Sequence, residues 1–290
     1  MIYHLSLILG MMIVGTTVTV GKVVATGMPQ FITLSIRFFL GGLLLYAFMK
    51  LGRHKEIKLR GKNLFYVVLQ AGDIFVFNVL LLAGLKTVSA VDSGIITGTL
   101  PVIVLILSVI LLSEKLTLLK TSAVFLATFG VIVINISGSD AGLGESSVTG
   151  SLLVLGAFVF EGLFLIMRKR FTAEVPTFQL SAYIAIIVFI FFLPFGIYEA
   201  AQGRLAEITV SGYFVIAYYG MFVTAAAYIL WFTGIKHVSG MYASVYTAIV
   251  PVSSVLISSL TLGEVITRSH LLGMAFVMTA IGVLVFDSRK

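Results

Sequence analysis

Long apolar runs broken by short polar stretches set the pattern of this chain. Runs fall at His4 to Val24, Gln30 to Met49, Leu64 to Gly84, Ala90 to Leu112 and Leu118 to Ser137. A Gly- and Ser-rich break from Gly138 to Thr149, carrying Asp140 and Glu145, reads as a flexible linker. Five more runs follow, at Gly150 to Met167, Thr177 to Tyr198, Tyr213 to Thr233, Met241 to Leu262 and Leu271 to Phe286. Each approaches the roughly 20 residues that carry an α-helix across a bilayer. Continuous apolar runs, not alternating strands of about ten residues, point away from a β-barrel. The expected fold is an all-α membrane protein with ten transmembrane helices. The first run lacks a charged leader and a small-residue cleavage site and ends with Lys22, so it is expected to stay as a span and not be removed as a signal peptide.

The runs repeat. A shift of 150 positions lays Gly84, Lys86, Val88 and Ser89 on Gly234, Lys236, Val238 and Ser239, and it pairs Thr97 with Thr247, Pro101 with Pro251 and Glu114 with Glu264. A slip of two residues then pairs Gly130 with Gly282, and a shift of 141 near the start pairs Gly15 with Gly156 and Gly21 with Gly162. The repeating unit holds five spans, an odd number, so the second copy must enter the bilayer from the opposite side. That is the inverted-repeat plan of secondary transporters. The organisation expected is a first five-helix repeat at 1–138, a linker at 139–149 and a second repeat at 150–290.

Composition sharpens this. The chain is 59% hydrophobic and 11% charged, too apolar for a water-soluble protein. The net charge of +7 would suggest nucleic acid in a soluble protein, but the basic residues crowd into alternate loops, above all Lys50 to Lys62 and Arg168 to Arg170. The opposite loops hold only Lys86, Arg204 and Arg268. That bias expects both termini in the cytoplasm, an even number of crossings, a cell inner (plasma) membrane location and no nucleic-acid partner. With no cysteine there is no disulfide and no thiolate site. No phosphate-binding loop ending in Lys-Ser or Lys-Thr is present, which disfavours direct ATP use. His4, His54, His237 and His270 are scattered at span ends, so neither a metal site nor an enzyme's cluster of catalytic groups is expected.

At these residues the chain resembles the drug/metabolite transporter superfamily, specifically its EamA-type ten-helix members. The resemblance is carried by Gly15 with Lys22, by Met28-Pro29-Gln30 followed by Arg37-Phe38, by the stretch from Ser89 through Pro101 to Glu114, and by its recurrence from Ser239 through Pro251 to Glu264, followed by Leu272-Gly273 and Gly282. The family often has Trp where this chain has Val14. The resemblance implies a substrate cavity lined by spans 1, 3, 4, 6, 8 and 9, with spans 5 and 10 peripheral, and it implies no particular substrate or cofactor.

Polar groups at bilayer depth are costly, so they tend to be functional or structurally paired. Glu161, flanked by Phe160 and Phe164, is a candidate for proton exchange or else a carboxyl hydrogen-bonded to a neighbouring helix. Tyr66, Gln70, Asp73 and Phe77 share one helical face, as a site or as a polar packing seam. Arg37 and Lys22 could each hold an anionic group, but the resemblance puts span 2 outside the cavity, so Arg37 reads as an anchor that pairs with a carboxylate or reaches the interface. Lys22 stands at the cavity mouth or snorkels. Asp92 begins span 4 as a helix-start acid, and Glu114 and Glu264, being duplicated, read as scaffold. Tyr228 and Trp231, with Tyr242 and Tyr246, offer one aromatic wall or else ordinary core and interfacial packing. Gly94 and Gly98 opposite Ser244 and Ala248 suggest that spans 4 and 9 cross closely, with Pro101 and Pro251 kinking them. The substrate-facing set is therefore Thr19, Lys22, Gln70, Asp73, Phe77, Asn78, Thr97, Glu161, Phe164, Tyr228, Trp231 and Tyr246.

The function expected is a secondary transporter of small metabolites by alternating access, an exporter of amino-acid-like or amphipathic compounds, with protons as coupling ion. The competing readings are a passive facilitator or uniporter, a nucleotide-derivative exchanger of the same superfamily, and a non-transport receptor. The partners expected are a small-molecule substrate and the lipid bilayer, around a monomer or homodimer.

Overall fold

In hydrocarbon every backbone N–H and C=O must find its partner within the protein, and a helix does this inside one segment. The computed structural model, which describes residues 2–25, 28–53, 56–85, 87–88, 96–137, 147–172, 174–262 and 266–287, is helical along all its long elements. They are α1 (Ile2–Ala25), α2 (Gln30–Leu51), α3 (Lys62–Leu85), α4 (Leu100–Leu112), α5 (Leu118–Ser137), α6 (Val148–Arg170) and α7 (Thr177–Ala201). The eighth span has three parts, α8a (Val210–Tyr218), a π-helical stretch (Tyr219–Ala226) and α8b (Ala227–Ile235). The ninth has two, α9a (Gly240–Tyr246) and α9b (Ile249–Leu262), and α10 (Arg268–Asp287) is the tenth. Among the described residues six helices are long and apolar enough to cross a membrane, and four shorter apolar ones accompany them. Phe214, Leu260 and Met278 lie on the outside, where lipid tails and not water suit them.

Spans 4 and 9 are interrupted where continuous, kinked helices were expected. A turn occupies Gly98 and Thr99 ahead of α4, and another occupies Thr247 and Ala248 between α9a and α9b. Pro101 and Pro251 follow within four residues, and each lacks the N–H that would return to the carbonyl four positions back. The turns are closed locally. The Thr99 hydroxyl donates to the Ile96 carbonyl and the Thr247 hydroxyl to the Ser244 carbonyl, both at 2.6 Å.

The helices pair in a reciprocal pattern. The most extensive contacts join α2 with α7, α5 with α10, α3 with α6, and α1 with α8b and α9b; α4 packs on α6 and α9a, α2 on the π stretch, and α3 on α7. Adding five to each span number turns α3 with α6 into span 8 with α1, α1 with span 9 into α6 with α4, and α2 with span 8 into α7 with α3. Glycines repeat this in detail. A Cβ at Gly84 would stand 2.8 Å from the Gly150 carbonyl and collide with Val154, while one at Gly234 would stand 2.8 Å from the Tyr3 carbonyl and collide with Leu7. Likewise Gly15 packs against Ser253 and Gly162 against Ile103. In these contacts α1 and α6 correspond at a shift of 147, which corrects the shift of 141 expected from the sequence. Glycines dot both helices, so more than one register aligns them, and only the neighbours each glycine must admit select between registers.

Connections gather at two ends. At one, the Ile57 backbone exchanges hydrogen bonds of 2.9 and 2.7 Å with the Gln179 amide. There too, Glu114 accepts from the N–H groups of Gly240 at 2.8 Å and Met241 at 3.0 Å, with Lys169 3.5 Å away. At the other, Glu199 accepts from the N–H groups of Phe31 and Ile32 at 2.9 and 3.0 Å and pairs with Arg204 at 3.1 Å, and the Ser147 N–H reaches the Thr87 carbonyl at 2.9 Å. The basic stretches of the sequence lie at the first end.

Candidate substrate site

Along α3 the candidate face turns into the protein, and its members differ in what they have left to offer. Gln70 is fully buried with its amide spent, donating to the Phe164 carbonyl at 2.8 Å and accepting from the Thr172 hydroxyl at 3.3 Å. It therefore ties α3 to α6. Asp73, a turn further on, is 3% exposed, and its Oδ2 has no hydrogen-bond partner among the described residues. An orphaned carboxylate oxygen in an apolar interior needs a reason, since such atoms are almost always satisfied. Asn78 donates back to the Ile74 carbonyl at 2.7 Å, and Phe77 meets Phe158 of α6 edge-on, with centroids 6.1 Å apart.

Glu161 lies on α6 beside Gly162, whose missing side chain lets α4 approach. It is half-buried and makes no hydrogen bond among the described residues. One turn later Phe164 packs against Tyr228 and Phe232 of α8b, with centroids 5.3 and 5.5 Å apart, and the Trp231 indole N–H donates to the Leu165 carbonyl at 3.1 Å. Tyr228 is the meeting point of this cluster, its ring packing against both Phe164 and Phe232, with centroids 5.3 and 5.7 Å away.

Arg37 ties α2 to the eighth span through a hydroxyl and not through a carboxylate. No carboxylate pairs with it among the described residues. Its Nε donates to the Thr224 hydroxyl at 3.0 Å, and its guanidinium lies over the rings of Phe38 and Tyr219, 4.9 and 5.0 Å from their centroids. Thr224 and Tyr219 both belong to the π-helical stretch. Gly41 of α2 and Gly220 of that stretch bring the two backbones together, a Cβ at Gly41 standing 2.8 Å from the Gly220 carbonyl. The charge of Arg37 in mid-span was visible in the sequence, but no spacing marked its partners.

The two aromatic pairs have different partners. Tyr228 and Trp231 face α6, whereas the Tyr246 hydroxyl binds His4 Nδ1 at 2.7 Å and Tyr242 meets the His4 ring edge-on. Thr97 is half-buried at the break before α4. The side chains of Thr19 and Lys22, together with Asp92, Gly94 and Glu264, lie outside the described part of the structure. A cavity of about 590 Å3 beneath the connection from α2 to α3, lined by Ile57, Leu59, Leu64, Tyr183 and Ile187 among others, involves none of the candidate residues.

Comparison with known proteins agrees with this architecture. The sequence profile of the EamA-like transporter family matches residues 1–136 and again 148–286. The chain is 31% identical over 289 residues to the uncharacterized transporter YetK of Bacillus subtilis (strain 168), covering 99% of this chain and 88% of that one. It is 27% identical to the uncharacterized transporter YyaM of the same organism, covering 79% and 77%, and 24% identical to an uncharacterized transporter of Archaeoglobus fulgidus, covering 87% of each. A crystal structure of a protein 18% identical has the same fold, with a TM-score of 0.84 over 99% of this chain and 97% of its own.

Proposed function

Because the chain belongs to the EamA-like transporter family, within the drug/metabolite transporter superfamily, and is a multi-pass membrane protein, we propose that it is a secondary carrier that moves small amino-acid-like or amphipathic metabolites out of the cell by alternating access. Its moving parts are two five-helix units of opposite topology, residues 1–138 and 150–290, joined by the linker at 139–149. The observation that carries this reading is the reciprocal contact pattern, in which Gly84 meets Gly150 and Val154 as Gly234 meets Tyr3 and Leu7. Units that dock through equivalent surfaces can exchange roles about a central site, as inverted-repeat carriers do. The breaks beside Pro101 and Pro251 give each unit a hinge at the same place.

Protons are the coupling ion in this reading, taken up by Asp73 or Glu161. Neither carboxyl has a countercharge in contact with it among the described residues, and each must alternate between a charged and a neutral form if it carries a proton across. Transport in proteoliposomes with and without an inward proton gradient tests this. The gradient is expected to raise initial rates several-fold, and Asp73→Asn or Glu161→Gln is expected to abolish the difference. Equal rates in the two conditions would leave a passive facilitator in its place. The orphaned Oδ2 of Asp73 favours the coupled reading over the passive one.

A further inference from the structure

The arginines of this protein treat their guanidinium groups differently. Arg168 is fully buried and gives its terminal nitrogens to the Thr172 and Val175 carbonyls at 2.6 and 2.5 Å and to the Thr177 hydroxyl at 3.1 Å, while its Nε has no partner among the described residues. Arg204 is spent on Glu199 and Glu207. Arg37 stands eighth in a 22-residue transmembrane helix, where a charge is expensive, yet only its Nε is hydrogen-bonded among the described residues. Two ring faces and one hydroxyl offset only part of the cost of holding a cation there. The two terminal nitrogens, which form the fork that matches a carboxylate, have no hydrogen-bond partner among the described residues.

The surroundings hold this fork in place. The Thr224 hydroxyl fixes Nε, and Tyr219 and Phe38 fix the plane. Gly41 and Gly220 remove the side chains that would separate α2 from the eighth span. The partners come from a π-helical stretch, a geometry of poor intrinsic stability that recurs at functional sites. Tyr228 stands four residues after Thr224, the hydrogen-bond partner of Arg37, and packs against Phe164, which follows Glu161 by three residues on α6.

We infer that Arg37 is the anion receptor of the substrate site, and that the transported molecule presents a carboxylate to its terminal nitrogens. This rests on the carrier reading and narrows it: a substrate must carry a carboxylate, and a molecule differing only in lacking one is discriminated against. An empty fork is the costly state and an occupied fork the neutralised one, so the site prefers carboxylates by removing an uncompensated charge.

The test uses purified full-length protein in detergent and in proteoliposomes. Matched probes share each side chain: an amino acid, its 2-hydroxy acid with the carboxylate kept and the amine removed, and its amine with the carboxylate removed. Binding is read by thermal shift and by displacement, and flux by uptake. The wild type is expected to bind both carboxylates at least tenfold more tightly than the amine. Arg37→Gln is expected to lose that preference while keeping the weak affinity for the amine, Arg37→Lys to recover part of it, and Thr224→Val to weaken carboxylates a few-fold. A purely structural Arg37 would weaken all three probes alike. Retained amine binding shows that a variant is folded, and should Arg37→Gln fail to fold, Arg37→Lys and Thr224→Val carry the comparison. Equal wild-type affinity for acid and amine, or an unchanged preference in the variants, overturns the inference while transport itself stands. Absence of binding and flux for every probe would take the carrier reading down as well.

Discussion

Glu114 and Glu199 each receive two backbone N–H groups from the start of another helix, and each adds a basic partner, Lys169 or Arg204. The first turn of a helix has N–H groups with no partner of its own, so a carboxylate brought from elsewhere satisfies two of them and favours the positive end of the dipole. Glu114→Ala or Glu199→Ala is expected to cost about 2–3 kcal/mol, because hydrogen bonds to a charged group are the strong ones and the donors are left inside the protein. The Gln variants, which keep one acceptor, are expected to lose about half as much. Thermal unfolding in detergent reads this as a lowered midpoint, with Glu56→Ala as the contrast. Glu56 is also ion-paired, to Lys50 at 2.7 Å, but in an exposed position, and its loss is expected to leave the midpoint unchanged. The duplication of Glu114 and Glu264 pointed to scaffold from the sequence alone. Nothing in the sequence pointed to Glu199, whose carboxyl sits at the end of an apolar run like any interfacial acid.

At the scale of helices, close packing in a membrane depends on small residues, since lipid tails compete with any apolar contact. Gly84 and Gly234 stand against backbone oxygens that cannot move aside, so Gly84→Ala or Gly234→Ala is expected to cost about 1–3 kcal/mol. Gly72 and Gly282 face open space, and alanine there is expected to stabilise by up to about 1 kcal/mol through helix propensity. A four-variant comparison of unfolding midpoints checks both signs at once, and a loss at Gly72 as large as at Gly84 would remove the packing explanation. Helices of this kind were legible because each run of apolar residues is long and its ends are polar. The interruptions beside Pro101 and Pro251 were legible as bends, because proline lacks a donor wherever it stands. That they open into turns depends on Thr99 and Thr247, whose hydroxyls supply the local hydrogen bonds. The π-helical stretch was not legible. Tyr219 to Ala226 contains no proline and reads as an ordinary apolar helix, and its wider turn accompanies tertiary contacts with α2 at Gly41 and Arg37 that no local pattern encodes. The site shared that limit: Asp73, Glu161 and Arg37 announce themselves as charges in apolar runs, whereas the Thr224 and Tyr219 partners of Arg37 are set by tertiary packing.

For the whole molecule, the two ends are chemically unequal, and this gives an orientation that can be measured without disturbing the protein. The connections after α2, α4, α6 and span 8 are joined to one another through Ile57 with Gln179 and Glu114 with Lys169 and Gly240, and that end holds nearly all the basic loop residues. Segments rich in Lys and Arg resist translocation, so this end is expected in the cytoplasm, and the end held together by Glu199, Phe31 and Arg204 is expected outside. The chain contains no cysteine, so single cysteines can be introduced into the natural sequence with no background reaction. Lys58, Lys236 and Gln202 are exposed and lie in connections, the first two at the basic end and the third at the other. In intact cells a membrane-impermeant maleimide is expected to label Gln202→Cys and to spare Lys58→Cys and Lys236→Cys until the membrane is opened. Lys58 and Lys236 come from different halves of the chain, the first after its second span and the second after its eighth. In the proposed arrangement five spans per unit make those halves enter from opposite faces, so equal protection of both sites, opposite to Gln202, is the result that it requires. Labelling of Lys58→Cys from outside with Lys236→Cys still protected would mean that an odd number of crossings separates them, and the two units would then share one orientation and lose the geometry for alternating access.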